Sequence, residues 1–143
     1  MEQKLKDFGV LRAAAILANS ETLVYLPYNP VTPSTDTTLS GHGRHSGGEY
    51  NVFRFDITFA KGSLTNITFK TEESVNGTDW YQTQDVTYST GAMTSSAVSL
   101  VLTGSKTFPL IVKTKANFVR LSSTDTGTVT SSSLAISGSC GVE

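Results

Sequence analysis

Two histidines three residues apart are the most metal-like feature of the sequence. His42 and His45 are flanked by Asp36 and Glu49, and imidazole and carboxylate groups are common zinc ligands. Glycines border His42 on both sides, and Arg44 puts a positive charge between the two rings. Because nothing in the pattern fixes these groups in a tetrahedral arrangement, we expect a solvated loop and no metal or other cofactor.

Nucleophilic catalysis needs a serine, threonine or cysteine beside a base. His42 and His45 are the only histidines, and no Gly-x-Ser-x-Gly sequence is present. Cys140, the single cysteine, cannot form an internal disulfide. We therefore expect Cys140 to be an incidental thiol and the protein not to be an enzyme.

Two pairs of carboxylates resemble the pairs that glycosidases use. Glu72 and Glu73 are neighbours, so in a strand they point to opposite faces of the sheet. Asp79 and Asp85 share a face but lie about 20 Å apart at the rise of an extended strand. Neither pair is expected to act on a glycosidic bond.

Aromatic residues offer a different chemistry, the stacking of sugar rings. Trp80, Tyr81, Tyr88 and Tyr50 could form such a platform if their faces were exposed. The other interpretation, which we favour, places Trp80 in the core between two sheets with Tyr81 facing outward. Both interpretations stay open at this point.

Composition limits the class of protein. The chain has 143 residues, a formal net charge of −1 and 16% charged residues. It therefore fits one domain and lacks the basic footprint of a nucleic-acid-binding protein. Its apolar runs are shorter than the roughly 18 residues that span a bilayer. We expect neither a nucleic-acid nor a membrane partner.

Serine and threonine, with 18 and 21 copies, alternate with apolar residues in a pattern that is typical of half-buried strands. Phe53, Phe55, Ile57 and Phe59 form the clearest such run, and Asn76-Gly77 is a hairpin signal. The predicted strands cover 21–28, 49–59, 64–72, 79–86, 97–102, 108–113, 117–122 and 128–137. About eight short strands without helices between them predict an all-β antiparallel β-sandwich or jelly roll.

The first fifty residues differ from the rest. Residues 1–20 have apolar residues at near-helical spacing, which predicts an N-terminal arm, partly helical near 10–18, that orders against another molecule. The alternative is that this segment packs on its own domain, which spans 21–143. A long loop at 29–48, rich in glycine and proline, leaves room for a short strand at 37–40. The basic start is diluted by acidic residues, so we expect no secretion signal.

Several short motifs in the second part of the chain resemble a family of small β-sandwich proteins of tailed bacteriophages. They are Lys61-Gly62-Ser63-Leu64-Thr65, Asn76-Gly77-Thr78-Asp79-Trp80-Tyr81-Gln82, Ala116-Asn117-Phe118-Val119-Arg120, Thr126-Gly127-Thr128-Val129-Thr130 and Ser133-Leu134-Ala135-Ile136. The resemblance covers about residues 50–143. It is closest to the jelly-roll proteins that decorate capsids, which are also called cement proteins.

This resemblance implies a structural virion protein that is made in the host cytoplasm and binds the outside of a phage head. Its expected partners are the major capsid protein, whose subunits it would bridge, and copies of itself in a dimer or trimer. We expect Phe8, Leu11 and Ile16 of the arm, Tyr28 and the 29–48 loop to make these contacts. The alternatives are a carbohydrate- or receptor-binding module of a tail or fibre, or another head or tail component.

Overall fold

The computed structural model describes residues 6–17, 22–25, 51–76, 78–114, 116 and 118–141, with the backbone alone for 6–9 and 22–25. These residues form eleven strands and no helix. The strands are β1 (Lys6–Ile16), β2 (Thr22–Tyr25), β3 (Val52–Ala60), β4 (Asn66–Ser74), β5 (Tyr81–Gln82), β6 (Gln84–Ser89), β7 (Ala92–Ala97), β8 (Ser99–Leu102), β9 (Lys106–Lys113), β10 (Phe118–Thr126) and β11 (Ser133–Gly141). The all-β antiparallel prediction is confirmed.

Two sheets form the body of the protein. Sheet A has the strand order β1-β11-β3-β9. Sheet B has the order β2-β10-β4, and β5 and β8 both pair with the remaining edge of β4. Every pairing is antiparallel. The two sheets pack face to face as a β-sandwich.

The core lies between the sheets and consists of every second side chain of the central strands. In β3 these are Phe53, Phe55, Ile57 and Phe59, all buried. Strands β4, β10 and β11 supply the other large apolar side chains, namely Ile67, Phe69, Val119, Leu121, Leu134 and Ile136. The alternation that predicted the strands therefore also defines the buried face.

Two of the predicted turns depend on glycines with positive φ. Gly62 follows β3 with φ 54°, and Gly127 follows β10 with φ 109°. A side chain at either position would also collide with backbone, because a Cβ on Gly62 would lie 2.7 Å from Ser132 N and one on Gly127 would lie 2.8 Å from Thr65 N. Both turns thus require glycine for conformation and for space.

The prediction of a helical turn near 10–18 is wrong, because residues 6–16 form β1 and pair with β11. Three register shifts interrupt this pairing, between Asp7 and Gly9, between Val10 and Arg12, and between Arg12 and Ala15. Each bulge adds a residue and breaks the period of two. The apolar residues therefore recur at a spacing that resembles a helix although the backbone is extended.

The single strand expected at 79–86 is also wrong. The structure has a short β5, then a hairpin in which β6 pairs with β7 around Gly91, at φ 78°. Residues 92–97, for which no strand was predicted before Ala97, form the second half of this hairpin. The 29–48 loop, the strand at 37–40 and the histidine pair lie outside the described residues.

Candidate functional site

The first candidate surface lies on β1, the strand that contains three of the expected contact residues, Phe8, Leu11 and Ile16. Leu11 is 3% exposed and belongs to the core, so its side chain cannot contact a partner while the protein is folded. Ile16 is 66% exposed and remains available. The side chain of Phe8 and all of Tyr28 lie outside the described residues. The N-terminal segment was expected either to order against another molecule or to pack on its own domain, and residues 10–17 pack on their own domain.

Arg12 stabilises the irregular pairing of β1. Its Nε donates to the carbonyl of Leu134 at 3.1 Å, and its Nη2 donates to the carbonyl of Ile16 at 3.4 Å. These bonds satisfy acceptors where the ladder is interrupted by bulges, since buried carbonyls need a donor. Val10 and Ile16 stay exposed on the same strand. A shallow depression of about 420 Å³ lies beside Val10, between β1 and the outer face of β3 and β11.

Trp80 does not lie in the core between the sheets, so that interpretation is wrong. It is half-buried on the outer face of sheet B, where its ring meets Phe118 edge-on with centroids 6.4 Å apart. The guanidinium carbon of Arg120 lies 4.2 Å from the ring centroid of Trp80. Phe118 and Arg120 alternate with the core residue Val119, which places this cluster outside the core. Tyr81 is exposed, as expected.

Glu72 and Asp79, one from each of the two predicted carboxylate pairs, have structural partners. Glu72 Oε2 accepts from Arg120 Nη2 at 3.1 Å, and the Arg120 side chain is 6% exposed. Asp79 Oδ2 accepts from Asn76 Nδ2 at 2.7 Å in the turn after β4, and Asp85 lies on the exposed β6. No pair of these groups faces a shared cleft in the described parts of the chain.

An exposed ion pair lies on the outer face of sheet A. Arg54 Nη2 is 2.8 Å from Asp56 Oδ1, and both side chains are exposed to solvent. The hydrogen bond and the charge of Asp56 raise the pKa of Arg54 above its usual value. Because both groups are solvated, the pair contributes little to stability.

The second candidate surface is the hairpin of β6 and β7, residues 84–97, in which every residue of both strands is exposed. Strands β5 and β8 lie along the same edge of β4, and the hairpin connects them. At its base the Val98 amide donates to the Thr83 carbonyl at 2.8 Å. No described element packs on the hairpin, so it projects from the body.

A third feature is an apolar cavity of about 160 Å³ between β8 and β9. Phe69, Leu100, Leu110 and Val112 form most of its apolar lining, and Lys113 lies at its rim. β8 and β9 each have one neighbour among the described strands, so the sandwich is open on this side. The cavity is small and lacks a convergent set of polar groups.

The described ranges do not contain a metal site, an exposed thiol or a membrane-spanning helix. These contain no group of three or more His, Cys, Asp or Glu side chains able to hold a metal ion. Cys140 is fully buried opposite Phe53. None of the described segments is a helix with the length and hydropathy to cross a membrane.

No protein family, curated protein or solved structure matches this chain. The likeness to phage decoration proteins therefore remains an expectation from the sequence motifs. The class established here is that of an antiparallel β-sandwich with a projecting hairpin.

Proposed function

We propose that this protein is a structural virion component that binds the outside of a phage head, bridges major capsid protein subunits and stabilises the shell. It acts by binding and not as an enzyme. The observation that carries the proposal is the strand order of the two sheets, which supports a jelly-roll sandwich. Jelly rolls are frequent in viral capsid proteins and in lectins.

Eight strands of the body alternate between the sheets in the manner of a jelly roll. β1, β3, β9 and β11 belong to sheet A, and β2, β4, β8 and β10 belong to sheet B. Apart from the β4 to β8 connection, each step along these eight strands crosses from one sheet to the other. Residues 75–98, which contain β5, β6 and β7, are then an insertion into that connection.

The surfaces favour a role in assembly. A cement protein needs a rigid body and exposed elements that reach its neighbours. The core supplies the rigid body, while Val10 and Ile16 on β1 and the hairpin at 84–97 supply exposed contact groups. We propose that the β1 surface binds the capsid protein.

The direct test is co-sedimentation of the purified protein with DNA-free heads and, separately, with tails of the phage that encodes it. The proposal expects saturable binding to heads and greater resistance of these heads to heating. Ile16→Ser should weaken this binding, whereas Val75→Ser, at an exposed site outside the β1 surface, should not. Binding to tails alone, or no binding to heads, would overturn the proposal.

A second candidate function is carbohydrate or receptor recognition, which the exposed Tyr81 and Tyr88 favour. Tyrosine rings at the surface provide apolar faces for stacking on sugars. A glycan array with the wild-type protein and with Tyr81→Ala and Tyr88→Ala variants tests it. Specific glycan binding that either variant abolishes would favour this function over capsid decoration.

A further inference from the structure

The hairpin at 84–97 has one apolar face and one polar face. Tyr88 pairs with Met93 and Val86 with Ser95, so these side chains share a face. Tyr88 is 79% exposed and Met93 is 68% exposed. On the opposite face Thr87 and Thr94 join their hydroxyl groups at 2.7 Å.

This arrangement is unfavourable for an isolated ribbon. A two-stranded hairpin in water is marginally stable, and a further strand or a packed layer is what stabilises it. A face that collects Val86, Tyr88 and Met93 leaves apolar surface in water that burial would stabilise. The hairpin at 84–97 therefore has the distribution of apolar and polar side chains that is typical of a strand pair with one buried face.

The open side of the sandwich lacks a strand next to β9, so backbone groups of β9 on that side have no strand partner among the described residues. The Thr114 amide donates to the Asn51 carbonyl at 2.9 Å, in register with the β3–β9 ladder. Since bonding alternates along an antiparallel pair, even-numbered residues of β9 bond to β3 and odd-numbered residues direct their backbone groups away. Pro109 is on this outward side, where its lack of an N–H costs no ladder bond. Ile111 presents its backbone amide to the open edge.

Charge favours the pairing of these two features. Asp85 is the only charged residue of the hairpin at 84–97. β9 begins with Lys106, ends with Lys113 and contains no acid. A negative ribbon beside a positive edge adds attraction, and a net charge of −1 per chain adds little repulsion between copies.

We infer that a second copy of this chain occupies the open edge: the hairpin of one copy pairs beside β9 of the next. The apolar face of the hairpin then continues the inner row of Leu110 and Val112 and covers the cavity near Leu100. The contact joins two different surfaces, the hairpin and the β9 edge, so it closes into a ring of two or more copies if the rotation allows. The inference stands without the proposed function, because self-association needs no capsid.

The test is sedimentation of the full-length protein over a range of concentrations. The wild type should associate, and Tyr88→Ser with Met93→Ser should weaken the association by roughly tenfold or more. The double substitution Thr87→Ser, Thr94→Ser alters only the polar face of the same strands, so it should leave the association unchanged. Ile111→Pro removes an outward amide of β9 and should abolish association, whereas Ile111→Val should retain it.

Mixing provides the decisive arm. The Tyr88→Ser, Met93→Ser variant keeps an intact β9 edge, and the Ile111→Pro variant keeps an intact hairpin. An equimolar mixture should therefore form dimers at concentrations at which the first variant alone associates only weakly and the second does not associate. Far-UV circular dichroism and thermal unfolding verify that both variants are folded. A wild type that stays monomeric, a mixture without dimers, or hairpin-to-hairpin association that survives Ile111→Pro would overturn the inference.

Discussion

Replacing Leu11 with alanine tests whether the N-terminal strand is part of the core. Leu11 is 3% exposed, and its Cδ1 would lie 2.9 Å from a Cβ on Gly138, so it packs directly on β11. Buried leucines that are truncated to alanine cost about 2.7–5 kcal/mol, the larger values being found where the cavity cannot collapse. Because β1 is an edge strand with bulges and can relax, we expect about 3 kcal/mol.

The assay is equilibrium unfolding in urea followed by circular dichroism and by the fluorescence of Trp80, the single tryptophan. Trp80 lies on sheet B whereas Leu11 lies on sheet A, so coincident transitions would report loss of the whole sandwich. Ile16→Ala is the control, because Ile16 is exposed in the same strand and should change stability by less than about 0.5 kcal/mol. Equally small effects of the two substitutions would show that Leu11 does not contribute to the core.

Three further predictions concern a turn, an ion pair and the hairpin. Gly127→Ala should destabilise the protein by roughly 3 kcal/mol in urea unfolding, because both the positive φ and the close contact with Thr65 N oppose a side chain there. Gly91→Ala, which has open space around it, should cost about 1 kcal/mol or less. Equal costs would contradict the steric argument. Glu72→Gln should cost about 2–3 kcal/mol of unfolding free energy, because it leaves the buried guanidinium of Arg120 without its carboxylate. Asp56→Asn, which breaks the exposed ion pair, should change the urea midpoint far less. A larger effect of Asp56→Asn than of Glu72→Gln would contradict the assigned burial. Replacing residues 84–97 with a short glycine-rich turn should leave the thermal unfolding midpoint within a few degrees of wild type, because no strand residue of the hairpin is buried in the body; collapse of the fold would show that the hairpin is structural.

The central strands could be predicted because their side chains follow a single rule. Phe53 to Phe59 in β3 and Ile67 to Phe69 in β4 alternate without interruption, and each inward residue is buried. Period-two alternation is visible in a sequence only when a strand is regular and one face is dry. These strands meet both conditions.

The segments that were predicted wrongly each break one condition. β1 is extended, but its three register shifts scramble the alternation, and the side chain that fills the core, Leu11, lies within one of them. The hairpin has no buried face at all, so its strands contrast weakly with a loop. The sequence favours a core position for Trp80, whereas its actual position depends on Arg120 and Phe118, which are adjacent to it only after folding.

The Glu72–Arg120–Trp80 cluster had one signal in the sequence that could have located it. Arg120 alternates with the apolar residues Val119 and Leu121, which assigns it to the outer face of its strand. What the sequence could not supply is the register, which sets Arg120 directly opposite Glu72 and leaves the guanidinium buried under an aromatic ring. Cross-strand pairing is a long-range property, so the partner becomes identifiable only when both strands are in place.

The two interaction surfaces should respond differently to mutation because they differ in how they are connected to the core. On β1 the exposed Ile16 and the buried Leu11 belong to one strand, so substitutions there can change binding and stability together. The hairpin joins the body at Thr83 and Val98, which already bond to each other, and its strands bury nothing. Variants of Tyr88 and Met93 can therefore lose association while the sandwich keeps its unfolding free energy. A loss of self-association with an unchanged urea midpoint is therefore expected of the hairpin variants, whereas on β1 a coupled loss of binding and stability is expected for the buried Leu11 and not for the exposed Ile16.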